Sequence, residues 1–367
     1  MAKIIILTAG YGEGHNAAAR GLEAAFRELD TDAQVVDLFA LTSGAFYQHS
    51  RRGYVELINR APKIWAAVFG LIDRFPIVPL TLPLLGKMRR TLRDIIEREQ
   101  PTAVISVYPV YGYLVEQLYP GARPFAFHTV VTDSITINSV WHRCGSDTFL
   151  VPNEDTARVM EAAGVSADRL HTLGFPVLPR FARDRPARSS PPPGRVLYMV
   201  NAGRQHAAAI VRRLLALPNV HLTVTVGRDT ALGEALRGVA AELDKPLEIH
   251  GWTLEMPELL MTHHLLIGKA GGATVQETIA AGTPMLLTQI IPGQEEGNAQ
   301  LLLENDCGAF CPTAETLAEA IDRAFANDAA VWKTWAANIA RLSRPDAARE
   351  IARFVLEKVA RRVAVSA

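Results

Sequence analysis

His15 follows three glycines, Gly10, Gly12 and Gly14, in residues 7–26 (LTAGYGEGHNAAARGLEAAF). It is the first residue whose type and setting suggest chemistry, because an imidazole takes a proton near neutral pH and can serve as a general base. The glycines end an apolar run and precede an alanine-rich helical pattern. Such a turn puts His15 at a helix N-terminus, where unsatisfied N–H groups and the helix dipole favour a polar or anionic group. Two other readings stay open. A dinucleotide fingerprint requires G-x-G-x-x-G with an acid about 20 residues on. Here the third glycine comes one position early and His15 stands in its place, although Asp37 supplies an acid. The remaining reading is a tight turn whose glycines serve helix–strand packing alone.

A second constellation lies in residues 268–302 (GKAGGATVQETIAAGTPMLLTQIIPGQEEGNAQLL). Lys269, Gly271 and Gly272 form a turn after a strand, and residues 273–281 read as a helix. The glycines allow close backbone approach to a ligand, and the helix N-terminus at Ala273 and Thr274 offers N–H donors to a diphosphate. Glu277, one turn further along, could accept both hydroxyls of a ribose; by itself it could equally be a solvated helix residue. Gln294 and Glu295 follow the next strand in a polar loop and have the chemistry to bind sugar hydroxyls. Asp133 is an alternative base to His15, weighed against a turn or supporting role. Residues 30–32 (DTD) imitate a metal-binding D-x-D, but they precede a strand and so sit at the wrong end of a sheet.

These residues need elements to position them. Apolar strand-like runs alternate with helical patterns: KIIILTA, AQVVDLF, TAVISVYP, PFAFHTVVTD, DTFLVPN and RLHTLGFPV, then RVLYMVNAG, VHLTVTVG, PLEIHGW, HLLIGKAGG and TPMLLTQ. Alternation of this kind predicts an α/β fold with parallel, doubly wound sheets. Residues 186–195 (PARSSPPPGR) lack periodicity and read as a linker. The expected organisation is therefore a domain over 1–178, a linker over 179–195, a second domain over 196–345, and a C-terminal helix in 346–367 that packs back on the first domain. Ligands of such sheets bind at the carboxyl ends of the strands.

The chain has 367 residues, with 38 Lys and Arg balanced by 38 Asp and Glu. Zero net charge argues against a nucleic-acid binder. Three cysteines, Cys144, Cys307 and Cys311, make no metal set and suit a reducing compartment. The apolar N-terminus reads as a buried strand rather than a signal peptide, and no apolar stretch reaches the roughly 18 residues a membrane span requires. Charge is nevertheless uneven. Residues 51–93 carry nine Lys or Arg against Glu56 and Asp73, a local +7, interleaved with Trp65, Val68, Phe69, Leu71, Ile72 and Phe75. Basic residues among aromatics fit an interfacial segment on an anionic membrane, or else a core helix with a solvated basic face.

GGATVQETIAAGTPMLL followed by PGQEEGN resembles the donor region of two-domain GT-B nucleotide-sugar glycosyltransferases. The likeness is greatest to the monogalactosyldiacylglycerol synthase and processive diacylglycerol glucosyltransferase family. The peptidoglycan lipid-intermediate N-acetylglucosaminyltransferase is a more distant relative. TAGYGEGHNAAA, YVELINRAPKIWAAVFGLID, VVTDSITINSVW and FLVPNEDTARVMEAAGVSADRLHTLGFPV are similar to further segments of that family. The resemblance implies two Rossmann-like domains facing across a cleft. It implies diphosphate binding at Gly271, Gly272, Ala273 and Thr274, ribose contacts from Glu277, sugar contacts from Gln294 and Glu295, and a base near Trp252 and Met256. His15 would be the catalytic group on the acceptor side, with Gly12, Gly14, Trp65 and Phe69 around the acceptor. The implied reaction is inverting transfer of a hexose from a UDP-sugar to a lipid, most simply diacylglycerol. It uses the UDP-sugar as co-substrate with no further cofactor and no metal, on the cytoplasmic face of the membrane. Transfer to a polyprenyl-linked acceptor, a UDP-sugar 2-epimerase and a nucleotide-sugar-binding protein are the alternatives. Two departures stand out. The turn after RVLYMV holds only Gly203, leaving Asn201, Arg204 and Gln205 to supply contacts there, and TDSITINSVW lacks the histidine expected between Asp133 and Trp141.

Overall fold

The computed structural model describes residues 2–75, 85–184, 194–201 and 203–366. The chain divides into two compact units. One comprises Met1–Pro179, Pro292–Gly297 and Arg344–Ala367; the other comprises Arg180–Ile291 and Asn298–Ser343. Of the expected linker, residues 185–193 lie outside the described residues.

The first unit is built on a parallel sheet of six described strands: β1 (Lys3–Thr8), β2 (Asp32–Asp37), β3 (Ala103–Ser106), β4 (Ala126–Val130), β5 (Thr148–Val151) and β6 (Leu170–Thr172), in the order β2-β1-β3-β4-β5-β6. Ile4, Ile5, Ile6 and Leu7 of β1 are fully buried. That is the mark of a central parallel strand covered on both faces, and each such side chain stabilises by about 1.5–3 kcal/mol. Between the strands run α1 (Glu13–Glu28), α2 (Leu38–Arg60), α3 (Pro62–Arg74), α4 (Gly86–Glu99), α5 (Tyr111–Leu118) and α6 (Glu154–Ala162). β2 stops at Asp37, earlier than the run AQVVDLF suggests. The Asp37 carboxylate accepts from Ala40 N–H at 2.9 Å and starts α2 there.

The second unit repeats the plan. α7 (Arg180–Arg183) leads to β7 (Arg195–Met199), α8 (Ala207–Leu215), β8 (His221–Thr225), α9 (Thr230–Glu242), β9 (Glu248–His250) and α10 (Met256–Thr262). Then come β10 (Leu265–Lys269), α11 (Gly272–Ala281), β11 (Met285–Gln289), α12 (Glu296–Glu304), β12 (Gly308–Phe310) and α13 (Ala314–Leu342). The sheet order is β12-β11-β10-β7-β8-β9, again parallel among the described strands. Val196, Tyr198, Leu222, Val224, Leu265, Ile267 and Leu286 form the middle of its core. The three-residue β12 has no counterpart in the sequence reading.

The last helix, α14 (Ala347–Ser366), belongs to the first unit and packs on α1, where Arg349 pairs with Glu28 at 2.7 Å. In each sheet the chain reverses its direction of growth once. The reversal falls between β1 and β3 in the first sheet and between β7 and β10 in the second. Loops diverge at such points and leave a crevice at the carboxyl ends of the strands, the usual seat of a ligand.

Candidate active site

In the first unit the β1–α1 turn stands at that reversal. Gly12, the N-cap of α1, has φ +119°, a conformation that strains any residue with a side chain. Gly10 N–H donates to the Tyr47 hydroxyl (2.6 Å) and to the Asp37 carboxylate (3.1 Å), and the Tyr47 hydroxyl donates to Asp37 at 2.8 Å. Both Asp37 oxygens are therefore occupied, one in this turn and one in capping α2. The acid that a dinucleotide site would require for a ribose is thus a structural anchor. Gly14 follows within the first turn of α1, half-buried.

His15, which follows β1 at the switch point, reaches the ends of the next two strands, β3 and β4. Its Nδ1 lies 2.8 Å from the Val107 carbonyl oxygen, just past β3, and 3.0 Å from Thr132 Oγ1, just past β4. A carbonyl can only accept, so the ring proton sits on Nδ1 and Nε2 keeps its lone pair. Tyr108 meets the ring edge-on at 5.0 Å, and Trp141 lies 6.0 Å away. Burial lowers the His15 pKa to about 4, against the opposing pull of the Val107 bond. The imidazole is thus neutral near neutral pH and able to accept a proton at Nε2. Asp133 shares the neighbourhood: its carboxylate accepts from Trp141 Nε1 at 2.7 Å. Burial raises its pKa to about 6, and the indole bond works the other way. Trp141 thus touches both candidate bases, yet its sequence position singles it out in no way.

The turn that carries Trp141 also holds α3. Asn138 donates to the Phe69 carbonyl at 3.2 Å, Ser139 N–H donates to the Asp73 carboxylate at 2.6 Å, and Ser139 Oγ donates to the Asp73 carbonyl at 2.8 Å. The rings of Trp65 and Phe69 lie 6.3 Å apart on α3. Pro292–Gly297, the loop carrying Gln294 and Glu295, was expected in the second domain; it groups with the first unit instead. The reason is close packing. A Cβ at Gly293 would come within 3.1 Å of the Phe69 ring, and one at Gly297 within 1.9 Å of the Ser134 carbonyl oxygen. Glu295 is nearly buried there, at 4% exposure. The structure therefore gathers His15, Asp133, Trp141, Phe69, Gln294 and Glu295 in one unit.

The second unit gathers the glycine turn. Gly271 is the N-cap of α11 without a side-chain cap, and its N–H returns to the Lys269 carbonyl at 2.8 Å. Gly272, Ala273 and Thr274 make the first turn of the helix, which leaves N–H donors there for a ligand. Glu277 lies half-buried one turn on. Asn201, after β7, accepts from Lys269 N–H at 3.1 Å, so its side chain ties the two strands of this switch point together. Arg204, expected to supply a ligand contact, pairs with Asp229, which in turn caps α9. Gln205, exposed, lines a cavity of about 240 Å³ with Tyr198, Gly203 and Thr288. Trp252 is 59% exposed after β9, with the Arg228 guanidinium 5.6 Å from its ring centre, and Met256 opens α10 nearby in sequence. Sequence reasoning missed Asn298, 2% exposed, whose side-chain amide donates to the Ala270 carbonyl at 3.3 Å and so braces the glycine turn.

Residues 15–177 match the family model described as monogalactosyldiacylglycerol (MGDG) synthase. A probable monogalactosyldiacylglycerol synthase of Glycine max is 26% identical over 384 residues, covering 98% of this chain and 72% of the relative. A processive diacylglycerol beta-glucosyltransferase of Bacillus mycoides is 24% identical over 307 residues, covering 81% of this chain and 79% of the relative. Among solved structures, S. aureus MnaA with UDP aligns at TM-score 0.62 and 11% identity, over 96% of this chain and 95% of that one. Acinetobacter baumannii MurG aligns at TM-score 0.62 and 13% identity, over 97% and 99%. By sequence the chain is similar to monogalactosyldiacylglycerol synthases and processive diacylglycerol glucosyltransferases, and it shares the two-domain GT-B fold of MurG.

Proposed function

We propose that this chain is an inverting glycosyltransferase that moves a hexose from a UDP-sugar to diacylglycerol. The observation that carries the reading is His15: a neutral imidazole at the switch point of the first sheet, with its proton fixed on Nδ1 and its Nε2 lone pair available. The acceptor hydroxyl gives its proton to Nε2 while its oxygen attacks the anomeric carbon. The bond from that carbon to the diphosphate breaks with its electrons, and the configuration inverts. The N–H groups at the start of α11 (Gly271, Gly272, Ala273 and Thr274) suit the leaving diphosphate, so that no metal is needed. Glu277 would take the ribose, Trp252 and Met256 the base, and Gln294 and Glu295 the sugar. Asn201 serves the donor by fixing the turn rather than by touching it.

Gly12 and Gly14 keep the floor beneath the acceptor open, and α3 with Trp65 and Phe69 would guide the lipid. Among the described residues no helix is long and apolar enough to cross a membrane. Ile64 and Leu71 of α3 and Phe75 at its end are each at least half exposed, which supports docking on a membrane surface; we assign this to the cytoplasmic face.

The test is transfer of labelled hexose from UDP-glucose, UDP-galactose and UDP-N-acetylglucosamine to diacylglycerol in anionic vesicles. A labelled glycolipid is expected. His15→Ala should lose transfer by about two to four orders of magnitude while still binding UDP, and Glu277→Ala should weaken UDP binding. Full turnover by His15→Ala would remove the assigned base, and UDP binding without any glycolipid would remove diacylglycerol as acceptor.

A further inference from the structure

We infer that Thr132 is a positioning residue for His15: with the Val107 carbonyl it forms a two-oxygen clamp on Nδ1 that holds the ring in its reactive tautomer and steadies the imidazolium formed during transfer. The inference rests on the glycosyltransferase reading above. Two observations carry it. Thr132 is 3% exposed and its hydroxyl oxygen lies 3.0 Å from Nδ1, so a proton on Nδ1 is shared between that oxygen and the Val107 carbonyl at 2.8 Å. The Val107 carbonyl is itself held in place. The fully buried Ser106 donates its hydroxyl to the Tyr108 carbonyl at 2.6 Å and accepts from Tyr108 N–H at 3.3 Å, while Val107 N–H bonds the Leu7 carbonyl at 3.0 Å. The chain thus aims an oxygen from each of two strand ends at one nitrogen. A carboxylate commonly fills this place behind a catalytic histidine; here both acceptors are neutral.

The chemistry follows from the geometry. When Nε2 takes the acceptor's proton, the ring becomes a cation with both nitrogens protonated, and a bond from a charged donor is stronger than one from a neutral donor. Thr132 therefore favours the protonated ring and makes the neutral ring a better base. The titratable groups facing His15 are Tyr108 from the β3 loop and, through Trp141, Asp133 from the β4 loop. On its own helix, Glu13 and Arg20 approach each other to 3.5 Å at the surface.

Thr132→Val keeps the shape of the side chain and removes the acceptor, whereas Thr132→Ser keeps the acceptor. Nitrogen NMR of the full chain with isotopically labelled histidine, assigned through His15→Gln, reads tautomer and titration directly. The wild type is expected to show the proton on Nδ1. Thr132→Val should shift the titration to lower pH and lower kcat about tenfold, with KM for the UDP-sugar changed less than about twofold. Thr132→Ser should restore the wild-type profile. A wild-type His15 with its proton on Nε2 overturns the clamp whatever the variants do, and so does a Thr132→Val protein whose His15 titration and kcat are unchanged. If the wild type transfers no sugar while His15 shows the expected tautomer and shift, the clamp stands and the transferase reading fails.

Discussion

Two candidate bases stand within reach of one indole, and their environments push them in opposite directions. Burial takes His15 down to about 4 and Asp133 up to about 6. A base works only when deprotonated, so activity falls as pH drops through its pKa. With His15 as base, the acid limb of kcat/KM lies near pH 4, and Asp133→Asn leaves it in place; a limb near pH 6 that vanishes in Asp133→Asn transfers the role to Asp133. The same carboxylate has a stability consequence. Its pKa is raised in the folded state, so its contribution is greatest below the unfolded value of 3.8 and is lost as pH rises through about 6. That rise corresponds to about 3 kcal/mol of stability lost at neutral pH. Asp133→Asn keeps an oxygen for Trp141 Nε1 and removes the charge. Its melting temperature near neutral pH should therefore exceed the wild type's by several degrees, and no gain would mean that the site solvates the carboxylate.

Between α14 and the first sheet lie two histidines that the proposed reaction does not use. His128 on β4 bonds Thr148 Oγ1 through Nδ1 at 2.7 Å, while its Nε2 and that of His171 on β6 are buried without hydrogen-bond partners. Phe354 of α14 covers both, with ring centres 4.5 Å from His171 and 6.2 Å from His128. Burial lowers the His128 pKa to about 4, with Asp147 opposing and Lys358, His171 and Arg123 reinforcing; His171 is lowered for the same first reason. Both folded values lie below the unfolded 6.5, so the stability they confer is present above about pH 6.5 and is lost as pH falls toward 4. Melting temperature should drop over that window, α14 should lose amide protection with it, and His128→Asn should flatten the slope. An unchanged slope in His128→Asn would locate the acid sensitivity elsewhere. Elements of this kind differ in how far a sequence betrays them. The run Ile4, Ile5, Ile6, Leu7 announces a central strand because both of its faces are covered. The glycine turn before α11 is legible because chemistry and conformation coincide there. β12 has too few residues to show a period. The capture of Pro292–Gly297 by the first unit depends on Phe69 and Ser134, both far away in the chain, and Thr132 and Trp141 acquire a role only once loops from different strands converge on His15.

At the scale of the whole molecule the charges cancel, yet the stretch 51–93 holds a local +7. The side chains of Arg51, Arg52, Arg60 and Lys63, and all of residues 76–84, lie outside the described residues. Arg74, Lys87, Arg90 and Arg93 are described and exposed. On α3 the outward face carries Ile64 (58% exposed) and Leu71 (52%), and Phe75 (50%) follows at its end, while Trp65, Val68, Phe69 and Ile72 are half-buried, so the helix is apolar on its outer face as well, unlike an ordinary surface helix. Two forces would then hold the chain on an anionic bilayer, and they separate by salt. Each basic residue near such a surface contributes about 1 kcal/mol and is screened within a Debye length, whereas apolar insertion is nearly indifferent to salt. In flotation with phosphatidylglycerol vesicles, raising salt from about 50 to about 500 mM should therefore weaken binding without abolishing it. Ile64→Glu with Leu71→Glu should remove the salt-resistant remainder. UDP binding, which the proposed function assigns to α11 in the other unit, should not change, and glycolipid synthesis should fall with vesicle binding. If the double variant binds vesicles as the wild type does, α3 is not the membrane face, and the lipid must reach His15 from another side.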